Sequence, residues 1–292
     1  TGGAGFIGSH CVEHFQKLCD EITVIDNFST GHNKFDFPNV HYITADITKP
    51  EELDQVQGTY DYMIHLAAAI SVAESMTNPQ KYEFTNVQGS ENVYRMAERL
   101  HVKKVISASS AAVYGDCGKD AITEDFPFNG ISPYAQSKYK MEQLKTKFPN
   151  LQLIFTRFFN VYGPRQDPKS PYTGVMSIFI DRALSNLQIT IFGDGLQTRD
   201  FVYVRDLTAA LETIFFSNTK DFIFNVGTES VTTINQLAEE ITKFGGSFVH
   251  GQVREGDIKY SLSCSQRLQK LGWKPKVDIS KGIVETVEWV RK

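Results

Sequence analysis

The sequence predicts an α/β protein built on a doubly wound parallel sheet, with a smaller mixed α/β unit after it. Three observations carry the prediction. Short β-branched runs that are apolar on both faces alternate with helical patterns through the first half of the chain, as strands covered by helices on either side do. A glycine-rich turn at residues 1–8 opens directly into a helical pattern. Beyond about residue 165 the alternation loosens, which marks a second unit.

Residues 6–18 carry apolar side chains near every third or fourth position and read as a helix. The runs "EITVIDN", "VHYITADI", "YDYMIHLAA", "KKVISASS" and "LIFTRFFN" read as strands of one parallel sheet, with helices over residues 79–100 and 134–148 between them. These elements make residues 1–164 one doubly wound α/β unit. Residues 165–292 follow as a proline-rich connector, "VMSIFIDRAL" as helix, "ITIFGD" as strand, "VRDLTAALETIFF" as helix, "FIFNVG" as strand and "TINQLAEEITKFG" as helix, mainly a second unit with some segments returning to the first sheet. Such sheets order their strands outward from the one before the glycine turn. The reading therefore expects a central strand ahead of Thr1.

Composition narrows the partners. The formal net charge of −4 offers no basic surface of the kind nucleic acid requires. The four cysteines show neither C-x-x-C spacing nor the density of a secreted scaffold, so they read as thiols in a reducing compartment, and no metal site is assigned. No apolar run reaches the ~18–20 residues needed to cross a bilayer. A cytoplasmic protein without a membrane partner is expected.

In "TGGAGFIG", Gly2, Gly5 and Gly8 stand three apart and lead into a helix whose first residues include Phe6 and Ile7. Gly2 allows a tight turn, Gly5 the close approach of a pyrophosphate and Gly8 close packing of helix on strand, while the helix start aims N–H groups at phosphate. Asp26 ends the next strand, where a carboxylate accepts both ribose hydroxyls of an adenosine and repels a 2′-phosphate. The following Asn27, Ser29, Thr30 and Gly31 extend that rim, and no arginine or lysine stands just after Asp26, which selects NAD over NADP. After the next strand, Asp46 and Ile47 either hold the adenine or serve a local cap.

"SPYAQSK" places Tyr134 and Lys138 four apart at a helix start, with Ser132 as N-cap and Pro133 at the first position. The two then share one face, and a neighbouring ammonium and a helix N-terminus both favour the phenolate over an unperturbed phenol of pKa about 10. That makes Tyr134 a candidate general acid and base. Ser109 and Ser110 end an apolar strand at the carboxyl edge, where open α/β sheets bind ligands. An ordinary amphipathic helix and a turn serine are the bland alternatives.

Taken together, "TGGAGFIG", "HLAA" at 65–68, "SSAAVYG", "YAQSK", "RFFNVYGPRQ" and "GDGLQTRDFVYVRD" resemble the extended short-chain dehydrogenase/reductase family, in particular its nucleotide-sugar 4-epimerases of the UDP-glucose type. The resemblance runs from Thr1 nearly to Lys292 with the motifs in family order. It implies a Rossmann sheet, bound NAD, and Ser110, Tyr134 and Lys138 as the catalytic set. By the same resemblance Leu66, Ala67, Ala68, Asn86 and Phe158 serve the cofactor. One departure is Ala112, where many relatives carry a hydroxyl, so substrate hydroxyl contacts rest on Ser110 with Ser109 as helper.

For the second half the resemblance implies a UDP-hexose ligand. Asn160 and Arg199 would meet the diphosphate, Phe192 the uracil, Arg254 a phosphate and Asp257 a ribose, with Val175 also among the substrate-binding residues. Two arginines on a diphosphate make chemical sense, since planar guanidinium bonds phosphate oxygens in pairs. Arg165 reads instead as a surface charge or ion-pair partner. Ser261, seven residues past Arg254, matches the gate beside the sugar's C2 substituent, and a small residue there leaves room for an acetamido group. The resemblance further implies a homodimer through the helices at 79–100 and 134–148. Dehydratases and decarboxylases of the family place acidic residues where this chain has Ser110, Ala111 or their neighbours, which disfavours both. A non-catalytic NAD-binding relative would not need Tyr134 and Lys138.

Overall fold

The computed structural model describes residues 1–170, 174–253 and 258–292. The glycine turn feeds α1 (Phe6–Phe15), followed by β1 (Ile22–Asp26), β2 (Val40–Thr44), the short α2 (Pro50–Leu53) and β3 (Tyr62–His65). Next come α3 (Val72–Thr77), α4 (Pro79–Tyr82), a π-helical turn at Glu83–Gln88 and α5 (Gly89–Arg99). The predicted continuous helix over 79–100 is thus broken by a wider turn, a feature that apolar spacing does not encode. Then follow β4 (Lys104–Ser110), α6 (Pro133–Gln143), β5 (Gln152–Phe158) and β6 (Asn160–Tyr162). The predicted helix over 134–148 ends as a 3₁₀ turn at Leu144–Lys147.

The second half contains α7 (Val175–Leu184), β7 (Gln188–Phe192), β8 (Thr198–Arg199), β9 (Phe201–Tyr203), α8 (Val204–Phe216) and β10 (Ile223–Val226). It continues with β11 (Thr232–Thr233), α9 (Ile234–Thr242), β12 (Ser247–Gly251), α10 (Gln266–Lys270) and α11 (Ile279–Val290). Sequence reasoning missed β6, β8, β9 and β11, each two or three residues long, because such short runs carry no measurable period, and it also assigned no element to α2, α3, β12, α10 or α11. No helix among the described residues is long and apolar enough to cross a membrane.

The main sheet runs β10-β5-β4-β3, all parallel, and β1-β2 forms a separate parallel pair. Strand β10 comes from the second half of the chain and joins the sheet beside β5. Alternation along the strands splits the interior into two layers. Val105, Leu153 and Phe155 pack with α5 and α6 residues such as Tyr94, Ala97 and Met141. Ile106, Ile154 and Phe224 pack with Phe15 of α1 and Leu207, Leu211 and Ile214 of α8. A third cluster joins α7, α9 and α11 over β7 and β9, with Ile180, Ile189, Phe201, Leu237 and Ile283. Lys104, at the start of β4, closes α8: its ammonium donates to the carbonyls of Ile214, Phe215 and Ser217 at 3.0, 2.9 and 2.6 Å, satisfying the free end of that helix.

Thr1 lies between the two sheet pieces. Its backbone nitrogen donates to the Ile64 carbonyl at 2.8 Å, its own carbonyl accepts from Leu66 N at 3.1 Å, and Gly2 N donates to Ile25 O at 2.8 Å. An apolar slot of about 150 Å³ extends from Thr1 between β1 and β3, lined by Val12, Phe15, Val24 and Ile64 among others, and none of Ser110, Tyr134 or Lys138 borders it.

Asp200 ties the end of this architecture together. The fully buried carboxylate accepts from Thr228 N and Oγ1 at 2.8 and 2.7 Å, from Glu229 N at 3.0 Å, and from Ser263 N and Oγ at 3.2 and 2.5 Å. Asp200→Asn would turn one acceptor oxygen into a donor facing N–H and O–H groups. We expect a loss of about 2–3 kcal/mol, read as a lower urea midpoint at unchanged m-value.

Candidate active site

The glycines do different jobs. Gly2 has φ +72°, the left-handed region that favours glycine, and a Cβ there would stand 2.6 Å from Ala67 N. A Cβ on Gly8 would lie 2.0 Å from Gly2 O, so only glycine lets α1 come this close to the turn. A Cβ on Gly5 would meet only Gly2 O, at 3.4 Å, and otherwise open space. Gly5 is also the N-cap of α1, with no capping side chain and no carboxylate in the first turn formed by Phe6, Ile7 and Gly8. The positive end of the helix is therefore left uncompensated, a fit for a phosphate group.

Around this turn, the Asp26 carboxylate accepts from Ala4 N and Phe28 N, both at 2.9 Å. The loop carrying Asn27, Ser29, Thr30 and Gly31 folds against the turn: a Cβ on Gly31 would be 2.5 Å from Ala4 C, and Asn33 N donates to Ala4 O at 3.0 Å. Asn27 Nδ2 donates to Asp46 at 2.9 Å, and Asp46 also accepts from Thr48 N and Oγ1 at 2.8 and 2.7 Å, so the carboxylate serves its own loop. Ile47 packs its side chain into the core, and its carbonyl accepts from Asn92 at 2.9 Å. Leu66, Ala67 and Ala68 follow β3 and run beside the turn, with Leu66 N and Ala67 N donating to Thr1.

On the catalytic side, Ser132 Oγ caps α6 by accepting from Ala135 N at 3.1 Å, and Pro133 takes the first position, as the spacing predicts. Tyr134 and Lys138 lie one turn apart and both are buried. Ser110 ends β4, accepts from Ala112 N at 3.2 Å and hydrogen-bonds the Tyr134 phenol. Phe158 stands directly opposite Ser110 in the β4–β5 ladder. Thus Ser110, Tyr134, Lys138 and Phe158 are brought to one edge.

The electrostatics differ from the sequence expectation. Burial raises the Tyr134 phenol above its ordinary value, and the Ser110 hydrogen bond only partly opposes this. Lys138 donates to the Ala108 carbonyl at 2.8 Å, and burial draws it down to about 8 against the opposing pull of Glu142. Desolvation outweighs the help expected from the neighbouring ammonium.

Two assigned residues turn inward. Ser109, expected as a substrate helper, is 3% exposed and donates to Glu142 at 2.6 Å, because it lies on the strand face that α6 covers. Asn86, expected at the cofactor, is fully buried in the π turn. Its amide accepts from Ala69 N at 2.8 Å and donates to Ala69 O and Ser137 Oγ, both at 2.9 Å, stitching the segment after β3 to α6. His65, in the "HLAA" run, is a residue to which the sequence assigns no role. Its ring bonds Thr1 Oγ1 at 2.7 Å and Ser90 Oγ at 2.8 Å, and burial holds it neutral, well below the usual histidine range.

A model of the NAD dependent epimerase/dehydratase family matches residues 1–227. The chain belongs to this family. NAD is accordingly its cofactor, and the open cradle at Gly5 is where the family's dinucleotide fits. A Methanocaldococcus jannaschii protein provisionally named a UDP-glucose 4-epimerase is 38% identical over 300 residues, covering 100% of this chain and 97% of the relative. The crystal structure of UDP-glucose 4-epimerase from Thermotoga maritima with UDP-glucose superposes with a TM-score of 0.93 at 34% identity, covering 99% of this chain and 97% of that one. The UDP-N-acetylglucosamine 4-epimerase of Methanobrevibacter ruminantium, in complex with UDP-N-acetylmuramic acid, gives 0.92 at 35% identity, covering 99% and 96%. A UDP-N-acetyl-glucosaminuronate decarboxylase of Bacillus cytotoxicus also matches, at 30% identity over all of this chain and 97% of the relative.

In this family member the residues expected at a nucleotide sugar are spread over several elements. Asn160 opens β6 and donates its backbone N–H to Asp200 O at 3.0 Å, which places it beside Arg199 at the end of β8. Arg199 Nη1 donates to Thr198 O at 2.9 Å. Val175 begins α7, and Phe192 ends β7 half exposed. Ser261 is half-buried next to Leu262, whose carbonyl accepts from Ile122 N at 2.9 Å. Arg254 and Asp257 lie outside the described residues. Arg165 pairs with Glu13 at 2.5 Å, the ion-pair role read from the sequence. Because the Ser109 hydroxyl faces Glu142, Ser109→Ala should lower stability by about 1 kcal/mol without weakening nucleotide-sugar binding, measured by thermal melts and calorimetry on one preparation.

Proposed function

We propose that this chain is a 4-epimerase of UDP-hexoses, interconverting gluco and galacto forms and accepting the N-acetylated sugars as well. The observation that carries the reading is the hydroxyl pair of Ser110 and Tyr134 with Lys138 buried one turn away, at the carboxyl edge of the sheet. Beside that pair stand Ala111 and Ala112, where an elimination or decarboxylation would call for an added acid. The relatives named as 4-epimerases support the same reading.

NAD, when bound, supplies the acceptor and later the donor of a hydride at sugar C4, so the cycle needs no outside reductant. Ser110 and Tyr134 hold the C4 oxygen between their hydroxyls. Tyr134 takes the proton from that oxygen as the alcohol becomes a ketone and returns it once the 4-keto sugar has presented its other face. Lys138 anchors α6 to β4 through the Ala108 carbonyl and places an ammonium one turn from Tyr134, which by itself does not offset the desolvation of a phenolate there. Asn160, Arg199 and Arg254 would grip the diphosphate, Asp257 the ribose and Phe192 the uracil, leaving the hexose free to turn about its phosphate link. Residues 1–164 then act mainly as the cofactor unit and 165–292 as the sugar-nucleotide unit, in a cytoplasmic homodimer joined through α5 and α6, with Phe84 left 49% exposed nearby.

Incubating the protein with UDP-glucose or UDP-N-acetylglucosamine and no added reductant should yield the galacto epimer by NMR. Finding only 4-keto-6-deoxy or pentose products would replace the reading with a dehydratase or decarboxylase. Tyr134→Phe should keep the fold and lower kcat by about 10²–10⁴-fold, the usual worth of a positioned acid and base. Ser261→Tyr should abolish turnover of the N-acetyl sugar while sparing UDP-glucose; equal loss on both, or on neither, removes Ser261 as the gate.

A further inference from the structure

Beneath the reaction centre lies a buried cluster of charge that the proposed chemistry does not use. Ser109, Glu142 and Arg157 are 3%, 4% and 4% exposed. Arg157 takes both carboxylate oxygens of Glu142, Nε to Oε1 at 2.9 Å and Nη2 to Oε2 at 2.6 Å, and Ser109 donates to Oε1 at 2.6 Å. The remaining Arg157 Nη1 donates to the Glu124 carbonyl at 3.2 Å, and the guanidinium lies 4.7 Å from the centre of the Tyr114 ring. Every polar group of the cluster therefore has a partner.

The members come from β4, α6 and β5, and each is a neighbour of a site residue. Ser109 precedes Ser110, Arg157 precedes Phe158, and Glu142 is one turn past Lys138 and two past Tyr134. Ser109 and Arg157 are also direct partners in the β4–β5 ladder. Stability does not ask for such a cluster. Burying an ion pair costs several kcal/mol per charge, and well-packed apolar residues of the same volume are often as stable or more so. Apolar contacts lack direction, whereas a bidentate guanidinium–carboxylate pair fixes both distance and rotation. A helix slipped by one residue moves about 1.5 Å and turns about 100°, more than a reacting geometry tolerates.

We propose that Ser109, Glu142 and Arg157 form a positioning device for the reaction, locking α6 in height and rotation against β4 and β5 and setting a fixed negative charge one turn below Lys138. The kinetic part of this rests on the epimerase reading. Glu142 touches no reacting atom and acts through Lys138 and, along the helix, Tyr134. The titratable groups around Lys138 are Glu142 and Tyr134 on its own helix and His65 on β3, which burial keeps neutral. Of these, Glu142 brings the charge that favours the ammonium. Burial has already drawn Lys138 down to about 8, so removing the carboxylate makes the ammonium lose its proton at still lower pH.

Glu142→Gln keeps the side-chain shape and deletes the charge. It should lower kcat at least ~10-fold, change KM for UDP-glucose less than ~3-fold, and move the alkaline limb of the kcat profile to lower pH. The Lys138 ammonium, followed by ¹⁵N NMR without substrate, should titrate at lower pH by the same shift. Because Glu142→Gln strands the Arg157 charge and can unfold the chain, a second variant, Glu142→Leu with Arg157→Met, removes both charges. It should fold with native-like melting and show the same loss of kcat and the same Lys138 shift. If the double variant turns over within ~2-fold of the native enzyme, or if Lys138 titrates where it does in the native chain, the cluster is only structural and the proposal falls. Should the native protein fail to epimerise, the function reading fails by itself, and the Lys138 midpoint still decides the role of Glu142.

Discussion

Parallel pairing is the constraint on which the rest depends. It points the carboxyl ends of β3, β4 and β5 the same way, Thr1 and Gly2 bridge the end of β3 to the end of β1, and the candidate site is assembled from what those ends carry: Asp26, the His65–Ala68 segment, Ser110 and Phe158. None of these residues is near another in sequence. The close approach of α1 to the glycine turn adds the phosphate-facing helix end, and it is possible only because Gly8 leaves no atom between α1 and Gly2 O. Backbone geometry therefore builds the cofactor side, while side chains of α6 build the reacting side.

Three kinds of signal were legible in the sequence, and each has a physical reason. Strands buried on both faces and helices with apolar spacing are recorded in every residue of the element, so β1, β4, β5 and α8 fall where the pattern puts them. Gly2 and Gly8 are legible because no other residue type fits those positions. Ser132, Pro133, Tyr134 and Lys138 are legible because cap, first turn and helix spacing are local. What stayed hidden is set by tertiary partners. Ser109 and Ser110 look alike as letters, yet one meets Glu142 and the other Tyr134, and only the packing of α6 on β4 separates them. Asn86, assigned by resemblance to the support of the site and to the cofactor, stitches Ala69 to Ser137 from within a π turn that no periodicity announces.

The buried polar groups share one arrangement. His65 bonds Ser90, whose hydroxyl donates to Asn86 O at 2.6 Å; Asn86 donates to Ser137, whose hydroxyl donates to Tyr134 O at 2.8 Å. A chain of hydrogen bonds thus runs from the end of β3 across the π turn to the first turn of α6. On the other side of that helix, Ser109 and Arg157 hold Glu142. Helix α6 is gripped at both ends by polar contacts with fixed geometry, where apolar packing alone would allow rotation and sliding.

Geometry and protonation are prepared to different degrees. The phenol, the serine hydroxyl and the ammonium already lie in one buried edge, so little reorganisation separates this arrangement from a reacting one. Their proton affinities are not yet those of an acid and base pair. Burial raises Tyr134 while it lowers Lys138 to about 8, and the ammonium is directed to Ala108 O. Desolvation always disfavours the charged form, so a dry pocket pushes a phenol and an ammonium toward neutrality together. A phenolate here therefore needs a compensating positive charge that Lys138, facing Ala108, does not deliver by itself. In the proposed reaction, the same burial that would keep water from a 4-keto sugar would make Tyr134 depend on a charged ligand beside it.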